Sequence, residues 1–149
     1  MSRWLQCSFQ KQEIHFNGVD NKGRPILDGK LTAWNAKGQK LIVTNYKDGK
    51  THGLMTKWYA NGQKWSEATL KDGKPYGLGT TWHENGQKKS EETYKDGIQI
   101  GKHESWLEDG TKEWEYYYND DGTRDSTKLT TRWYESGQKW YKGYVKTLN

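Results

Sequence analysis

Large apolar residues in this chain recur at long, regular intervals rather than at the helical period of 3.6 residues. From Gly38 to Gly110, turn signals containing glycine alternate at spacings of 11 and 13 residues. The segments between them suit strands of about six to eight residues, and they are rich in Thr, Tyr and Trp, which favour strands. Five tryptophans follow the same rhythm, four of them 24 residues apart and the last after 27: Trp34, Trp58, Trp82, Trp106 and Trp133.

This rhythm belongs to a repeat that is written G-x4-W-x3-G-Q-K-x5-[YL]-K-D-G-x3 and is clearest in residues 53–76 and 77–100. Five copies, beginning near residues 29, 53, 77, 101 and 128, cover residues 29–149, and residues 1–28 are predicted to form a degenerate N-terminal cap. Because one hairpin cannot bury its own apolar face, stacked neighbours must do so. The repeat predicts an all-β fold, an elongated twisted antiparallel β-meander of about five hairpins.

Each unit contains two turn signals, represented by Asn61-Gly62 and Asp72-Gly73. A two-residue loop at the first would pair Trp58 with Trp65, because Asn-Gly closes tight hairpins. The length of the second loop, two or three residues, decides which side chains share a face, and the sequence leaves it open. With either length, one face is expected to carry the tryptophan ladder and much of the other to carry Lys, Glu and Thr.

The composition agrees with a thin sheet rather than a globular core. Hydrophobic residues make up 31% of the chain, and nearly half of that share is aromatic, including nine Trp and ten Tyr. Aromatic side chains can supply the burial that aliphatic residues do not provide here. A mean hydropathy of −1.25 and the lack of a long apolar run argue against a membrane span. The first ten residues have no apolar stretch, and Cys7 is the single cysteine, so a cytoplasmic location is expected.

The unit Trp58-Tyr-Ala-Asn-Gly-Gln-Lys, closing on Leu70-Lys-Asp-Gly, resembles the MORN-type repeat of the bacterial toxin-antitoxin system YwqK-type antitoxin family. The resemblance covers residues 29–149. It implies an elongated sheet of hairpins, no cofactor, and a role in binding other proteins, and some relatives in the wider class are linked to phospholipids. The fourth copy departs from the pattern at Thr111 and in three extra residues before Trp133, so a bend in the sheet is expected there.

No constellation of residues in the sequence indicates catalysis or a metal site. The four histidines stand at different repeat positions without the short spacings of metal ligands, and they are interpreted as ordinary surface or strand residues. Alternation along a strand places Glu113 and Glu115 on one face and Glu91 and Glu92 on opposite faces. Such an arrangement is also typical of any solvated strand, so the chain is expected not to be an enzyme.

Aromatic residues beyond the repeat pattern are the candidates for partner binding. Copies two and five share the motif [KR]-W-Y-x-x-G-Q-K-W, whereas copies one, three and four have other residues at its final position. Trp, Tyr and Arg dominate the energetics of protein interfaces. The alternative is that Trp65 packs on Trp58 and Trp140 on Trp133 as cross-strand pairs. The partner-binding candidates are Tyr59, Trp65, Trp114, Tyr134 and Trp140.

A lysine follows the first turn of every copy, and hairpin stacking would align these lysines about 10 Å apart. Such a row suits an anionic surface such as nucleic acid or phospholipid, although it also serves to solubilise a sheet. Segment 101–127, with a net charge of −5, interrupts the basic track. The anion-binding candidates are Lys40, Lys64, Lys88, Lys112 and Lys139.

These patterns together favour a non-catalytic module that binds and occludes another protein, in the manner of an antitoxin, immunity protein or inhibitor. The alternative is an anion-binding scaffold that contacts nucleic acid or a phospholipid surface through the lysine row.

Overall fold

The computed structural model describes residues 11–13, as backbone, and residues 15–144. Every regular element in this part of the chain is a β-strand, as the turn spacing predicts. The strands are β1 (Lys11–Glu13), β2 (Phe16–Val19), β3 (Pro25–Leu27), β4 (Gly29–Trp34), β5 (Lys40–Lys47), β6 (Lys50–Thr51), β7 (Gly53–Trp58), β8 (Lys64–Lys71), β9 (Lys74–Trp82), β10 (Lys88–Lys95), β11 (Ile98–Trp106), β12 (Lys112–Tyr118), β13 (Leu129–Trp133) and β14 (Lys139–Tyr144).

The strands form one long antiparallel meander in the order β1-β4-β5-β7-β8-β9-β10-β11-β12-β13-β14, with β6 also paired to β5. A separate two-stranded hairpin consists of β2 and β3. The predicted all-β meander of hairpin repeats is therefore confirmed. The boundary between cap and repeats at residue 29 stays a prediction, and Cys7 lies outside the described residues.

The Asp-Gly turns that link one repeat to the next are two-residue loops. Asp72 and Gly73 have φ values of 51° and 84°, and Lys71 stands opposite Lys74 across them. Positive φ at both central residues defines the type I′ turn, whose twist matches that of the flanking strands. The same conformation occurs at residues 48–49 and 96–97, so the register left open by the sequence is settled in favour of two residues.

The first turn of each repeat differs from the two-residue loop expected at Asn61-Gly62. Tyr59 and Gln63 flank a three-residue loop, in which the Gly62 N–H donates to the Tyr59 carbonyl and the Tyr59 N–H to the Gln63 carbonyl. Gly62 has a φ of 87°, as in a type I turn that ends in a left-handed residue. Asp121-Gly122 forms this same kind of loop between Asn119 and Thr123, not a two-residue turn.

The longer loop introduces a β-bulge that overturns the predicted tryptophan pair. Trp58 stands opposite Lys64, and Lys57 stands opposite Ser66, so Trp65 is the extra residue on its strand. At this bulge the side chains of Trp65 and Ser66 lie on the same side of the sheet, which is the side of Lys57. Trp65 therefore projects from the face opposite to Trp58, and the same shift between Arg132 and Trp133 does this to Trp140.

Burial in this single layer is spread over small and polar side chains. Among the described residues the buried hydrophobic side chains are Ala33, Leu70 and Tyr116, while several threonines and serines and His103 are also buried. Most described strands belong to the one long sheet, so burial arises largely where large side chains cover the small ones between them. The aromatic residues thus replace a globular core, as the composition predicts.

Candidate partner-binding surfaces

One face of the sheet, which we call the ladder face, is defined by a row of directly paired residues that crosses the meander. Each ladder tryptophan lies two residues beyond a member of this row and therefore on the same face. The sequence prediction of a shared tryptophan face is confirmed. The row consists of Thr32, Val43, Thr56, Glu67, Thr80, Glu91, Glu104, Glu115, Thr131 and Lys142.

Lysines of the predicted row separate the ladder tryptophans. The ammonium of Lys64 lies 5.5 Å from the ring centre of Trp82 in the next repeat, and that of Lys88 lies 5.4 Å from the ring centre of Trp106. Lys112 lies 5.3 Å from the ring centre of Trp133. These cation–π contacts connect consecutive repeats through side chains. The lysine stems cover the sheet between the rings, which contributes packing as well as charge.

Glutamates of the same face offset much of the positive charge in this row. Lys64 pairs with Glu67 at 2.7 Å, and Lys88 pairs with Glu91 at 2.6 Å. Lys40 and Lys139 make no ion pair within the described residues. Lysine and glutamate therefore also lie on the ladder face, where Lys64 stands opposite Trp58 and Glu67 stands opposite Thr56.

Repeat four holds a compact ion-pair network on this face. Lys102 contacts Glu104 at 2.8 Å and Glu115 at 3.1 Å, and Lys112 contacts both carboxylates. Burial alone would raise the pKa of Glu115, but hydrogen bonds from Lys112, Tyr117 and Lys102 outweigh it and lower the pKa to about 2. Lys102 donates to Glu104, which raises the pKa of its ammonium. Two carboxylates of the acidic segment are therefore neutralised internally.

The opposite face carries two equivalent aromatic clusters at the bulges of copies two and five. In the first, the Trp65 ring lies 6.2 Å from Tyr59, and the Lys57 ammonium lies 5.2 Å from the Trp65 ring centre. In the second, Trp140 lies 6.2 Å from Tyr134 and 5.6 Å from the Arg132 guanidinium. The shared sequence motif thus builds the same three-residue arrangement twice.

These tryptophans are exposed, whereas the cross-strand alternative required them to pack on the ladder. Trp65 retains 45% of its accessible surface and Trp140 retains 53%. The alternative in which Trp65 packs on Trp58 and Trp140 on Trp133 is wrong, because each pair is divided between the two faces. Exposed tryptophan beside a cation is a common composition of protein-binding surfaces.

A groove of about 480 Å³ extends the second cluster across repeats four and five, and we call it the aromatic groove. At its base, the Arg124 guanidinium lies 3.6 Å from the ring centre of Tyr116, whose hydroxyl accepts a hydrogen bond from Arg132 Nε at 2.8 Å. Trp114 stacks on Tyr116 with ring centres 4.9 Å apart. The groove is lined by Tyr116, Arg124, Thr130, Arg132, Trp140 and Tyr141.

Reasoning from the sequence missed Arg124 and Tyr141 as members of this surface. Arg124 lies in the lengthened connection of repeat four, outside the repeat pattern, and its isolated bridge to Tyr118 brings it back over the sheet. The signal available in the sequence was the run of aromatic residues 116–118 beside an inserted arginine. Only the register shows which of those rings face the arginine.

The predicted carboxylate pair Glu113 and Glu115 is divided between the two faces. Glu113 is the bulge residue of β12, because Ser105 pairs with Trp114 and Trp106 pairs with Lys112. Glu113 instead accepts a hydrogen bond from Ser105 Oγ at 2.7 Å. Glu91 and Glu92 occupy opposite faces, as predicted. Among the described residues, no group of three or more His, Cys, Asp or Glu side chains is arranged to hold a metal ion.

The histidines are less uniform than the sequence interpretation proposed. His103 is buried, with 1% exposure, and its ring centre lies 4.7 Å from that of Tyr118 and 6.0 Å from that of Tyr94. His83 Nε2 lies 2.8 Å from the Trp106 carbonyl oxygen in the next repeat. Both positions stabilise contacts within the sheet.

The first turns of repeats two, three and four lie side by side at the ends of the strands, and hydrogen bonds connect each turn to the next. The Tyr59 hydroxyl donates to the Trp82 carbonyl at 2.8 Å, and Asn61 Nδ2 donates to the Glu84 carbonyl at 2.9 Å. Asn85 repeats the second bond with the Glu108 carbonyl at 2.6 Å. Between the turns of repeats four and five a groove of about 600 Å³ lies instead.

Comparison with known protein families identifies the repeat. A family model of the MORN repeat variant matches residues 51–72 and 75–96. These ranges cover the hairpins of the second and third copies, so the chain carries MORN-type repeats. No curated protein matches the chain. No helix of the length and apolarity needed to cross a membrane occurs among the described residues.

Proposed function

We propose that this chain is a non-catalytic protein-binding module, most concretely an antitoxin, immunity or inhibitor-type protein that occludes another protein with the face opposite to the ladder. The observation that carries the proposal is the exposure of Trp140 beside Arg132 and Tyr141 in the aromatic groove. The bulge directs Trp140 away from the ladder, so folding does not require this ring in the ladder. Repeats of this class commonly mediate binding interactions.

The aromatic groove contains residue types that contribute most of the binding energy at protein interfaces. Arginine and tryptophan are enriched among such residues, and each typically contributes about 2 kcal/mol or more on truncation. Arg124 and Arg132 are already held over Tyr116, so less side-chain entropy is lost when a partner orders them. Arg124 and Arg132, held in place beside exposed aromatic rings, favour a partner protein whose surface contains both apolar side chains and carboxylates.

The test begins with the tagged protein expressed in its native host, where a partner is captured and identified by mass spectrometry and the complex is then purified. The double variant Trp65→Ala/Trp140→Ala should weaken that complex by at least about tenfold, which corresponds to roughly 1.4 kcal/mol. Tyr76→Ala is the matched control, since Tyr76 is also 45% exposed but lies outside both clusters. Circular dichroism should be unchanged in both variants.

Two results would contradict the proposal. Unchanged affinity in the double variant would remove Trp65 and Trp140 from the interface. A saturable turnover that disappears on substitution of Glu113 or Glu115 would show that the chain is an enzyme. For the antitoxin assignment, the informative observation is whether co-expression of the chain suppresses the toxicity of the captured partner.

A further inference from the structure

The ladder face changes its charge pattern in repeat five. In repeats two, three and four, the lysine after the first turn is followed three residues later by a glutamate, and the two side chains form an ion pair. In repeat five the corresponding residues are Lys139 and Lys142. Lys142 therefore occupies the position whose glutamate neutralises the lysine in repeats two to four, and it adds a second positive charge there instead.

Lys142 lies at the end of the paired row, opposite Thr131, which itself stands opposite Glu115. The row thus runs from two glutamates through a threonine to a lysine. Two strand spacings separate Lys142 from Glu115, about 10 Å. Glu115 is already held by Lys112 and Lys102, so no carboxylate of the row remains to neutralise Lys142.

A groove of about 530 Å³ surrounds these lysines, and we call it the lysine groove. Lys128, Lys139 and Lys142 line it, and within the described part of the chain none of the three forms an ion pair. Trp133 and Tyr144 add apolar surface to its walls, and Glu115, which is already paired with Lys102 and Lys112, lines it as well. Such walls suit the methylene groups of a peptide side chain, while the lysines suit its charged ends.

We propose that the lysine groove binds a short acidic segment of a partner protein through its carboxylates. This inference rests on the proposed function, because a protein partner is what would supply such a segment. Charge complementarity favours a short segment over a long polyanion, since the neighbouring segment 101–127 carries a net charge of −5 and would repel an extended strand. The groove lies on the ladder face, so it is separate from the aromatic groove.

The experiment measures the binding of a fluorescein-labelled octaglutamate peptide to the full chain by fluorescence anisotropy at low ionic strength. Lys142→Glu should weaken binding by at least about tenfold. This substitution recreates the lysine–glutamate spacing of repeats two to four, so the fold should be retained, and circular dichroism checks this. Lys128→Gln should also weaken binding without any change within the strands. Lys47→Glu alters the net charge equally, outside the groove, and should leave affinity within about twofold.

Four outcomes would overturn the inference. The first is no binding of the peptide by the wild-type chain, and the second is unchanged affinity in both folded Lys142→Glu and Lys128→Gln. The third is an equal loss of affinity in Lys47→Glu. The fourth is binding of an oligothymidine octamer that is tighter than binding of the peptide and depends on Lys142. The last would assign the groove to nucleic acid. If octaglutamate fails to bind while the complex still depends on Trp140, only this inference is wrong. If the peptide binds through Lys142 but no complex depends on Trp140, the proposed function is wrong.

Discussion

Two glycines in β9 meet different backbone requirements although they are only two residues apart. Gly77 has a φ of 77° and sits in a stretch where three residues, 76–78, lie opposite one residue of β8. Gly79 lies outside the left-handed region, and a methyl group built on it would meet Ala68, the Glu92 carbonyl and Tyr94 at 3.7 to 3.8 Å. Those distances are ordinary van der Waals contacts, so Gly79 has room for a side chain.

Gly79→Ala should therefore stabilise the protein by about 0.4 to 1 kcal/mol, because alanine restricts the unfolded chain and fits the folded one. Gly77→Ala is the matched control and should destabilise by more than this amount, since alanine is strained at positive φ although the site is open. Urea denaturation measures both changes. Equal effects of the two substitutions would contradict the distinction in backbone conformation.

Glu115 links the ion-pair network of repeat four to the pH dependence of stability. Its pKa is lowered to about 2 from 4.5, because hydrogen bonds from Lys112, Tyr117 and Lys102 outweigh the effect of burial. A carboxyl group with a lowered pKa stabilises the folded state above its unfolded pKa. That contribution disappears as the pH falls from about 4.5 towards 2.

Glu115→Gln should cost on the order of 2 kcal/mol at pH 7, and the difference from wild type should shrink towards zero near pH 2. Chemical denaturation at several pH values measures this. Glu135→Gln serves as the control, since Glu135 is exposed and forms no ion pair in the described structure. A difference between wild type and Glu115→Gln that is constant from pH 7 to pH 2 would show that the network does not depend on ionised Glu115.

At the level of hairpins, the sequence predicts the Asp-Gly turns better than the Asn-Gly turns. Both dipeptides tolerate positive φ, but in residues 60–62 only the glycine adopts it, and Asn61 instead accepts a hydrogen bond from the Gln63 N–H. One additional loop residue then shifts the register by one and changes the face of Trp65. Loop length is set by this local hydrogen bonding, which the residue pattern alone does not specify.

The asparagines of the first turns have a second role that the pattern did not reveal. Asn85 accepts a hydrogen bond from the Gln87 N–H at 2.9 Å and donates one to the Glu108 carbonyl in the next turn. Asp109 makes the corresponding internal bond with Thr111 at 2.7 Å, but it has no donor for the following turn. The contrast separates turn formation from the contact between repeats.

Asn85→Asp should therefore destabilise the protein by about 1 kcal/mol or more, because it keeps the turn bond but replaces the donor by a carboxylate facing a carbonyl oxygen. Asp109→Asn should leave stability nearly unchanged, since a groove of about 600 Å³ lies between its turn and the turn of repeat five. Thermal denaturation of both variants is the measurement. A similar loss in the two variants would indicate that contacts between turns contribute little to stability.

Across the whole molecule, the repeat period predicts the order of the strands, whereas its interruptions determine where the candidate surfaces lie. The period requires only that neighbouring hairpins pair, and the meander follows from it. The aromatic groove arises where Arg124, from the lengthened connection, meets Tyr116. The lysine groove arises where Lys142 replaces the glutamate of earlier copies. The aromatic groove could be found only from the three-dimensional register. The lysine groove could be recognised in the sequence after the structure had shown the lysine–glutamate ion pairs of repeats two to four.

The same interruption predicts an uneven distribution of stability along the sheet. β12 and β13 share two paired positions, whereas the interfaces β8–β9 and β10–β11 share five each, and no turn hydrogen bond between described residues joins repeats four and five. In a repeat array, stability is roughly the sum of each unit and its interfaces with neighbours. Among the interfaces that join repeats two to five, the one between repeats four and five is therefore the weakest.

Hydrogen exchange should show this weak joint directly. Backbone amides of β13 and β14 should exchange faster than those of β8 to β11, because repeat five opens without the rest of the sheet. The hairpin of β4 and β5, towards the other end of the sheet, is the comparison, because β6 adds two pairs to the two that β5 shares with β7, whereas simple fraying of ends would affect both hairpins. Equal protection of β13 and β10 would contradict the weak joint. Faster exchange in repeat five would mean that both grooves lie where the sheet adjusts to a partner at the lowest cost in free energy.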